Sequence, residues 1–122
     1  MSEEEKRRSS RVVPVVSEEE VVLIDLGKPS PSLAKLLDFS EVGTLVYLLV
    51  DASVDAPIGT ACSLMLYQQG KVITVPAKIV RKLGRLIGFD FGEMSAEVVH
   101  DVQAKLLRME VEWLRLSKSG NR

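Results

Sequence analysis

The stretch Leu36-Leu37-Asp38-Phe39-Ser40-Glu41-Val42-Gly43 predicts the end of a β-strand that runs into a tight turn. Because side chains alternate along a strand, Leu37 and Phe39 are expected to share one face and to point toward a core. Asp38 and Ser40 then share the opposite face, at the point where the chain turns. Gly43 suits a turn that needs a positive φ, or the close approach of a ligand to the backbone. The stretch is therefore either an ordinary hairpin turn with local hydrogen bonds, or a rim that offers polar groups to a ligand.

On both sides of this turn, short β-rich runs alternate with loops that contain glycine or proline. The predicted strands are Val21–Leu26, Leu33–Phe39, Thr44–Val50, Thr60–Tyr67, Lys71–Arg81 and Leu86–Phe91. The third of these is expected to be buried on both faces, and Pro76 predicts an edge or a bulge in the fifth. Gly88 is expected where a ligand or a neighbouring backbone approaches. Six strands joined by short turns predict a mainly β fold, a small antiparallel β-barrel over residues 11–94.

A polar tail precedes the barrel, and a long helix follows it. Residues 1–10 are almost wholly polar and are expected to form a flexible arm. A C-terminal helix is predicted over residues 95–117, with Ser95 as its N-cap. One apolar seam of this helix has the heptad spacing of a coiled coil and consists of Val99, Val102, Leu106, Met109, Trp113 and Leu116. A second apolar stripe lies on the far side and consists of Leu107, Val111 and Leu114.

Two apolar faces on one helix need two partners. Either both faces wrap onto the barrel, or one of them packs on a second subunit. We predict a homodimer through the seam, although the two stripes could exchange roles, because the sequence does not fix which of them faces the barrel.

Composition excludes several classes of protein. The chain has 122 residues, which suits one domain, and its net charge of −1 and pI of about 5.9 lack the basic excess of a nucleic-acid binder. Its one cysteine, Cys62, is interpreted as a small core residue rather than a nucleophile. One histidine, no metal-ligand spacing and no glycine-rich phosphate loop indicate neither an enzyme nor a metal site. Glu18-Glu19-Glu20 is interpreted as a solvated face.

The N-terminus has no basic-then-apolar signal pattern, and no apolar run is long enough to span a bilayer. A single cysteine fits a reducing compartment. We therefore expect a cytoplasmic protein that does not insert into a membrane.

A second motif lies upstream of the turn. Lys6-Arg7-Arg8-Ser9-Ser10-Arg11 places two arginines, Arg7 and Arg11, four residues apart, directly before an apolar run. Arg-x-x-x-Arg, then a strand, then Asp-x-Ser-x-x-Gly, then further strands and a terminal helix resembles the PilZ domain family. The resemblance covers Lys6 to the early part of the last helix. PilZ domains are receptors for the bacterial second messenger cyclic di-GMP (c-di-GMP) and form a six-stranded split barrel, so the resemblance agrees with the strand pattern.

The resemblance implies a ligand site without any further cofactor. Its residues would be Arg7, Arg8, Arg11, Asp38, Ser40 and Gly43. The arginines would bind phosphate and guanine, since a guanidinium can bind phosphate bidentately, pair with the O6/N7 edge of guanine and stack on a base. Asp38 would accept hydrogen bonds from a guanine edge, Ser40 would bind phosphate or guanine, and Gly43 would hold the turn open. Ordering of the arm on the barrel would then signal to an unidentified downstream protein.

Two other functions stay open from the sequence. Some PilZ-like domains lack the arginine motif and act as protein-interaction modules that bind no nucleotide, but this chain keeps both motifs. A barrel that binds nucleic acid through its basic arm is the other alternative, against which the acidic flanks of the arm argue.

Overall fold

A computed structural model of the chain describes residues 20–49 and 54–120, with side chains described up to residue 115. The strands are β1 (Val21–Asp25), β2 (Ser32–Phe39), β3 (Gly43–Leu48), β4 (Ala61–Gln68), β5 (Lys71–Leu83) and β6 (Leu86–Phe91), and helix α1 is Ala96–Gly120. All neighbouring strands are antiparallel, and they close into a barrel in the order β1-β2-β3-β6-β5-β4. The predicted six-stranded antiparallel barrel with a C-terminal helix is confirmed.

Alternation of apolar and polar residues builds the barrel core. In β5 every second side chain from Ile73 to Ile79 is buried, because the inner face of a closed sheet is removed from water. The third strand differs from the prediction: Val46 and Leu48 are buried, but Tyr47 between them is exposed, so β3 has one outer face. The irregularity of β5 lies between Ile79 and Arg81 and not at Pro76, which pairs in register with β4.

A β-bulge changes which residues of β2 face the core. The register with β3 shifts between Leu36 and Asp38, so one extra residue is inserted in β2. Leu36 and Phe39 are buried, three positions apart, whereas Leu37 is only half-buried. The expected pairing of Leu37 with Phe39 on the core face is therefore wrong, because strict alternation does not continue across a bulge.

Helix α1 lies across one end of the barrel. The end of β4, the start of β5 and the residue before β1 all contact it, through Gln68, Lys71 and Glu20. Val102, Lys105 and Met109 are its buried side chains, and Val98 and Leu106 pack partly on the same core. Ser95 accepts a hydrogen bond from the backbone N–H of Val98 at 3.2 Å, as expected of an N-cap.

Part of the seam that was predicted to form a dimer packs on the barrel instead. Val102 and Met109 are buried against the barrel of their own chain, so they are not available to a second subunit in this arrangement. Trp113, further along the same side, is exposed, and the side chain of Leu116 lies outside the described residues. Among the residues described, no helix combines the length and the apolar character needed to cross a membrane.

Candidate ligand-binding end of the barrel

The turn between β2 and β3 is built around a buried serine. Ser40 is fully buried, and its hydroxyl oxygen accepts hydrogen bonds from the N–H groups of Val42 and Gly43, at 3.2 and 3.1 Å. The same hydroxyl lies 3.1 Å from the carbonyl oxygen of Gly43, to which it donates, and the N–H of Ser40 donates to that carbonyl at 2.9 Å. The structure therefore places Ser40 inside the turn and not on an outward rim, because its hydroxyl satisfies the backbone of the turn itself.

Glycine is needed at position 43 because the backbone of the adjacent strand β6 lies very close to it. Its φ is not in the left-handed region, so a positive φ is not the reason for glycine here. A Cβ added at Gly43 would instead collide with the backbone carbonyl oxygen of Phe89 on β6. Neither reason predicted for this glycine, a positive φ or the close approach of a ligand, is the one observed: the group that approaches Gly43 is the backbone of the adjacent strand.

Asp38 lies at the bulge, immediately before the turn. Its carboxylate oxygen Oδ1 accepts a hydrogen bond from the N–H of Leu45 at 3.0 Å, and its backbone carbonyl accepts from the hydroxyl of Thr44. The bulge keeps Phe39 inside the barrel while Asp38 stays half-buried at the outer surface. The hydrogen bond from the N–H of Leu45 holds the carboxylate of Asp38 beside the start of β3, on the outer surface of the barrel.

The pairing of β3 with β6 and of β6 with β5 shows which residues lie beside Asp38 on the outer surface of the barrel. Asp38 pairs with Leu45, Leu45 with Gly88, and Gly88 with Arg81, which gives a row across four strands that we call the outer row. A Cβ added at Gly88 would lie 3.1 Å from the Cβ of Arg81 and 3.9 Å from the Cδ1 of Leu45, so Gly88 lets these two side chains pack closely over β6. Arg81 is exposed and stands at the β5 end of the outer row, whereas Asp38 stands at its β2 end.

The point at which the N-terminal segment joins the barrel lies at the same end. The carbonyl of Glu20 accepts a hydrogen bond from the N–H of Leu36 at 2.9 Å, which extends the pairing with β2 to two residues before Asp38. The side chain of Glu20 is buried, contrary to the solvated face expected for Glu18-Glu19-Glu20. Residues 1–19, and with them Arg7, Arg8 and Arg11, lie outside the described residues.

Glu20 is buried because two cations from α1 bind it. The Nζ of Lys105 lies 2.8 Å from Oε2 of Glu20, and Nη2 of Arg108 lies 2.9 Å from Oε1. Lys105 also donates to the backbone carbonyl of Tyr67 at 2.6 Å and lies 5.9 Å from the ring centre of Phe39. The residue before β1 and residues of β2, β4 and α1 thus meet at one buried ammonium group.

Burial lowers the pKa of Lys105 below its ordinary value of 10.5, since removal from water disfavours the charged form, and the hydrogen bond to Glu20 opposes this effect. The side chain is 1% exposed. Among the residues described, no buried side-chain nitrogen or oxygen lacks a hydrogen-bond partner. Every described buried polar side-chain atom of this cluster therefore has a hydrogen-bond partner, although burial still disfavours the charged form of Lys105 on balance.

The sequence analysis did not single out Arg81 as a residue near Asp38 on the outer surface, or Lys105 as a buried cation. The signal for Lys105 was present: a lysine stands between Val102 and Met109 at the same helical spacing, so it had to face the core. For Arg81 there was no such signal, because the bulge after Ile79 is what turns it to the outer face.

The Cys62 thiol and the acidic side chains were two further candidates for reactive or metal-binding groups. Burial, and secondarily the carboxylate of Asp25, raise the pKa of the Cys62 thiol to about 11, so this thiol is not activated as a nucleophile. In residues 20–49 and 54–120, no three His, Cys, Asp or Glu side chains are grouped in a way that could hold a metal ion.

The fold and this end of the molecule define a small six-stranded barrel domain capped by a helix. The family model described as "PilZ domain" matches residues 5–108, and the chain belongs to this family. The match spans both motifs, Arg7 to Arg11 and Asp38 to Gly43. A search of the curated proteins found no match.

Solved structures of other PilZ proteins have the same fold. The PilZ domain with c-di-GMP of YcgR from Escherichia coli is 19% identical, with a TM-score of 0.76 over 93% of this chain and 98% of that one. The PilZ domain of CeSA from a cellulose-synthesizing bacterium is 18% identical, with a TM-score of 0.64 over 84% and 99%. The Bacillus subtilis inhibitor of motility, MotI/DgrA, is 18% identical, with a TM-score of 0.67 over 90% of this chain and 52% of that one. At these identities the likeness concerns the fold.

Proposed function

We propose that this chain is a non-catalytic receptor for c-di-GMP that orders its N-terminal arm, residues 1–10, on the barrel. The observation that carries the proposal is that the Asp38–Gly43 turn and the entry of the chain at Glu20 lie at one end of the barrel. Arg11 lies nine positions before Glu20. An extended chain of that length spans up to about 30 Å, so the arginine motif can reach the turn.

Each part of the proposed site has a chemical task. Arg7 and Arg11 bind phosphate and guanine, and Arg8 adds positive potential. Asp38, oriented by the N–H of Leu45, accepts hydrogen bonds from the N1–H and N2–H₂ edge of guanine, which adenine does not present. Arg81, at the other end of the outer row, is a further cation for a phosphate or a base face.

Ser40 and Gly43 have a different part in this proposal. The direct contact of Ser40 with phosphate or guanine stays a prediction, while the three hydrogen bonds of its hydroxyl within the turn favour a structural role. Gly43 allows β3 and β6 to approach each other, and this keeps the outer row in register. Both residues then act by holding Asp38 in place.

We propose that Glu20 couples nucleotide binding to the position of helix α1. Ordering of the arm changes the segment that leads directly into Glu20, and Glu20 is bound by Lys105 and Arg108 of α1. A shift at this carboxylate alters the seating of the helix, which then presents a changed surface to a downstream protein. The helix is also proposed to mediate self-association, through its exposed residues. A cytoplasmic location stays a sequence-based prediction.

The alternative is a PilZ-like interaction module that binds no nucleotide. Isothermal titration with c-di-GMP, cyclic di-AMP and a single-stranded RNA separates the possibilities. The receptor binds c-di-GMP with preference over cyclic di-AMP, and RNA only weakly. No heat from any of the three ligands would favour the interaction module, and binding of RNA alone would favour a nucleic-acid binder.

A further inference from the structure

Helix α1 has an apolar stripe on the side opposite the barrel. Leu107, Val111 and Leu114 are 61%, 40% and 57% exposed, and they follow one another at spacings of four and three residues. Val102 and Met109 mark the barrel-facing side, and at 3.6 residues per turn the stripe lies roughly diametrically opposite them. We call Leu107, Val111 and Leu114 the outer stripe. Soluble proteins tend to cover such a stripe with a partner.

The residue types on the outer stripe specify the kind of partner. With Val111 at a heptad a position, Leu107 and Leu114 fall on d positions and Ala104 on the preceding a position. A β-branched residue at a together with leucine at d favours two parallel helices over higher assemblies. The stripe therefore has the composition of a two-stranded, parallel coiled-coil seam.

Charges beside the stripe select between parallel and antiparallel pairing. Glu110 occupies the g position on one flank, and Arg115 occupies an e position on the other; Arg108, at the preceding e position, is bound to Glu20 and Glu112 of its own chain. In a parallel pair, g of one helix faces e five residues further along its partner, so that Glu110 meets Arg115 of the second copy. In an antiparallel pair, e faces e, and arginines would be brought against arginines. Opposite charges thus meet only in the parallel arrangement.

We propose that α1 pairs in parallel with α1 of a second copy of this chain, through the outer stripe. The barrel does not obstruct the pairing, because each barrel lies on the far side of its own helix. This inference rests on the self-association proposed above and is independent of nucleotide binding. In this dimer the contact residues are Leu107, Val111 and Leu114. Val102 and Met109, which belong to the seam predicted from the sequence, pack on the barrel of their own chain instead.

Sedimentation equilibrium of the full chain at tens of micromolar tests the surface. The wild type is expected to be a dimer, and Leu107→Glu with Leu114→Glu is expected to raise the dimer dissociation constant at least tenfold. Far-UV circular dichroism and titration with c-di-GMP check that this variant stays folded and keeps its nucleotide binding. Trp113→Glu is the matched control on the same helix, since Trp113 is 49% exposed but lies on the other side.

The outcomes separate the two proposals. A wild-type monomer overturns the dimer, while the nucleotide titration still reports on the receptor. A dimer that survives the double substitution but is dissociated by Trp113→Glu overturns the outer stripe and leaves self-association standing through the other side of the helix.

A charge exchange tests the orientation. Glu110→Arg and Arg115→Glu are each expected to weaken the dimer several-fold, because each places like charges together across a parallel seam. The double variant, with both charges exchanged, is expected to return to within about threefold of the wild type, since an opposite pair is restored. A double variant that is weaker than either single variant would contradict the parallel arrangement.

Discussion

Removal of the buried ammonium of Lys105 is the perturbation with the clearest structural basis. Lys105→Met keeps the length and apolar stem of the side chain but loses the 2.8 Å ion pair with Glu20 and the 2.6 Å hydrogen bond to the carbonyl of Tyr67. Breaking a buried ion pair on one side costs about 3–5 kcal/mol. Arg108 still binds the other carboxylate oxygen of Glu20. We therefore expect a loss of about 2–4 kcal/mol in the free energy of unfolding.

Urea unfolding followed by circular dichroism at pH 7 measures this loss. Arg108→Met is the matched control, because Arg108 binds the same carboxylate but its side chain is 24% exposed. The control should cost less than Lys105→Met, because the guanidinium of Arg108 stays partly in contact with water and Lys105 still binds Glu20 when Arg108 is removed. Adding Glu20→Gln to Lys105→Met should cost less than the sum of the two single changes, since the buried carboxylate is no longer left without Lys105. Equal losses from the two cation variants, or additive losses in the double variant, would refute the buried-cluster reasoning.

The same lysine gives a pH dependence with a defined sign. Its pKa is lowered by burial in the folded state, so between that value and its ordinary 10.5 the unfolded chain binds more protons than the folded one. Stability attributable to Lys105 therefore rises with pH across this interval and decreases as pH falls through the folded-state pKa. The wild type should gain stability relative to Lys105→Met as the pH is raised from 7 toward 10.5. A difference that stays constant over this range would contradict the assigned burial.

Three substitutions test the ligand-binding end. Gly43→Ala should destabilise the fold by about 1–3 kcal/mol in urea unfolding, because the new Cβ meets the carbonyl of Phe89, whereas Gly92→Ala, with its nearest neighbour 3.5 Å away, should change little. Arg81→Ala should weaken c-di-GMP binding by about 1.5–3 kcal/mol in calorimetry without changing the unfolding midpoint; unchanged affinity would remove it from the site. Asp38→Ala should lose the preference for c-di-GMP over cyclic di-AMP as well as affinity, and equal weakening for both nucleotides would leave Asp38 a purely structural part of the turn.

The barrel could be predicted because short stretches of sequence are enough to identify its strands and turns. Alternating residues such as Ile73 and Val75 on β5 reveal the core face within one strand, and the Asp38–Gly43 spacing reveals a turn. Strand ends differ from the prediction by a few residues, since pairing with neighbours decides where a ladder ends. The bulge at Leu37 could not be read, because an inserted residue leaves no signature in an alternating pattern.

The interior of the candidate ligand-binding end could be described only from the structure. Glu20 follows two other glutamates and resembles a solvated residue until Lys105, 85 positions away, is placed beside it. The sequence left open which stripe of the helix faces the barrel for a related reason: spacing identifies residues that share a face but does not say what that face meets. Burial of Val102 and Met109 decides this point.

The measurement that tests the central claim most directly is calorimetric titration of c-di-GMP into the wild type, Arg11→Ala and Arg85→Ala. Arg85 is an exposed arginine in the β5–β6 turn, at the opposite end of β6 from the Gly43–Asp90 pair, so it controls for the loss of one positive charge. We expect the wild type and Arg85→Ala to bind alike and Arg11→Ala to lose about 1.5–3 kcal/mol, roughly 10- to 150-fold in affinity, with the fold intact. A wild type that does not bind c-di-GMP, or an Arg11→Ala variant that binds it as tightly as the wild type, would contradict the account.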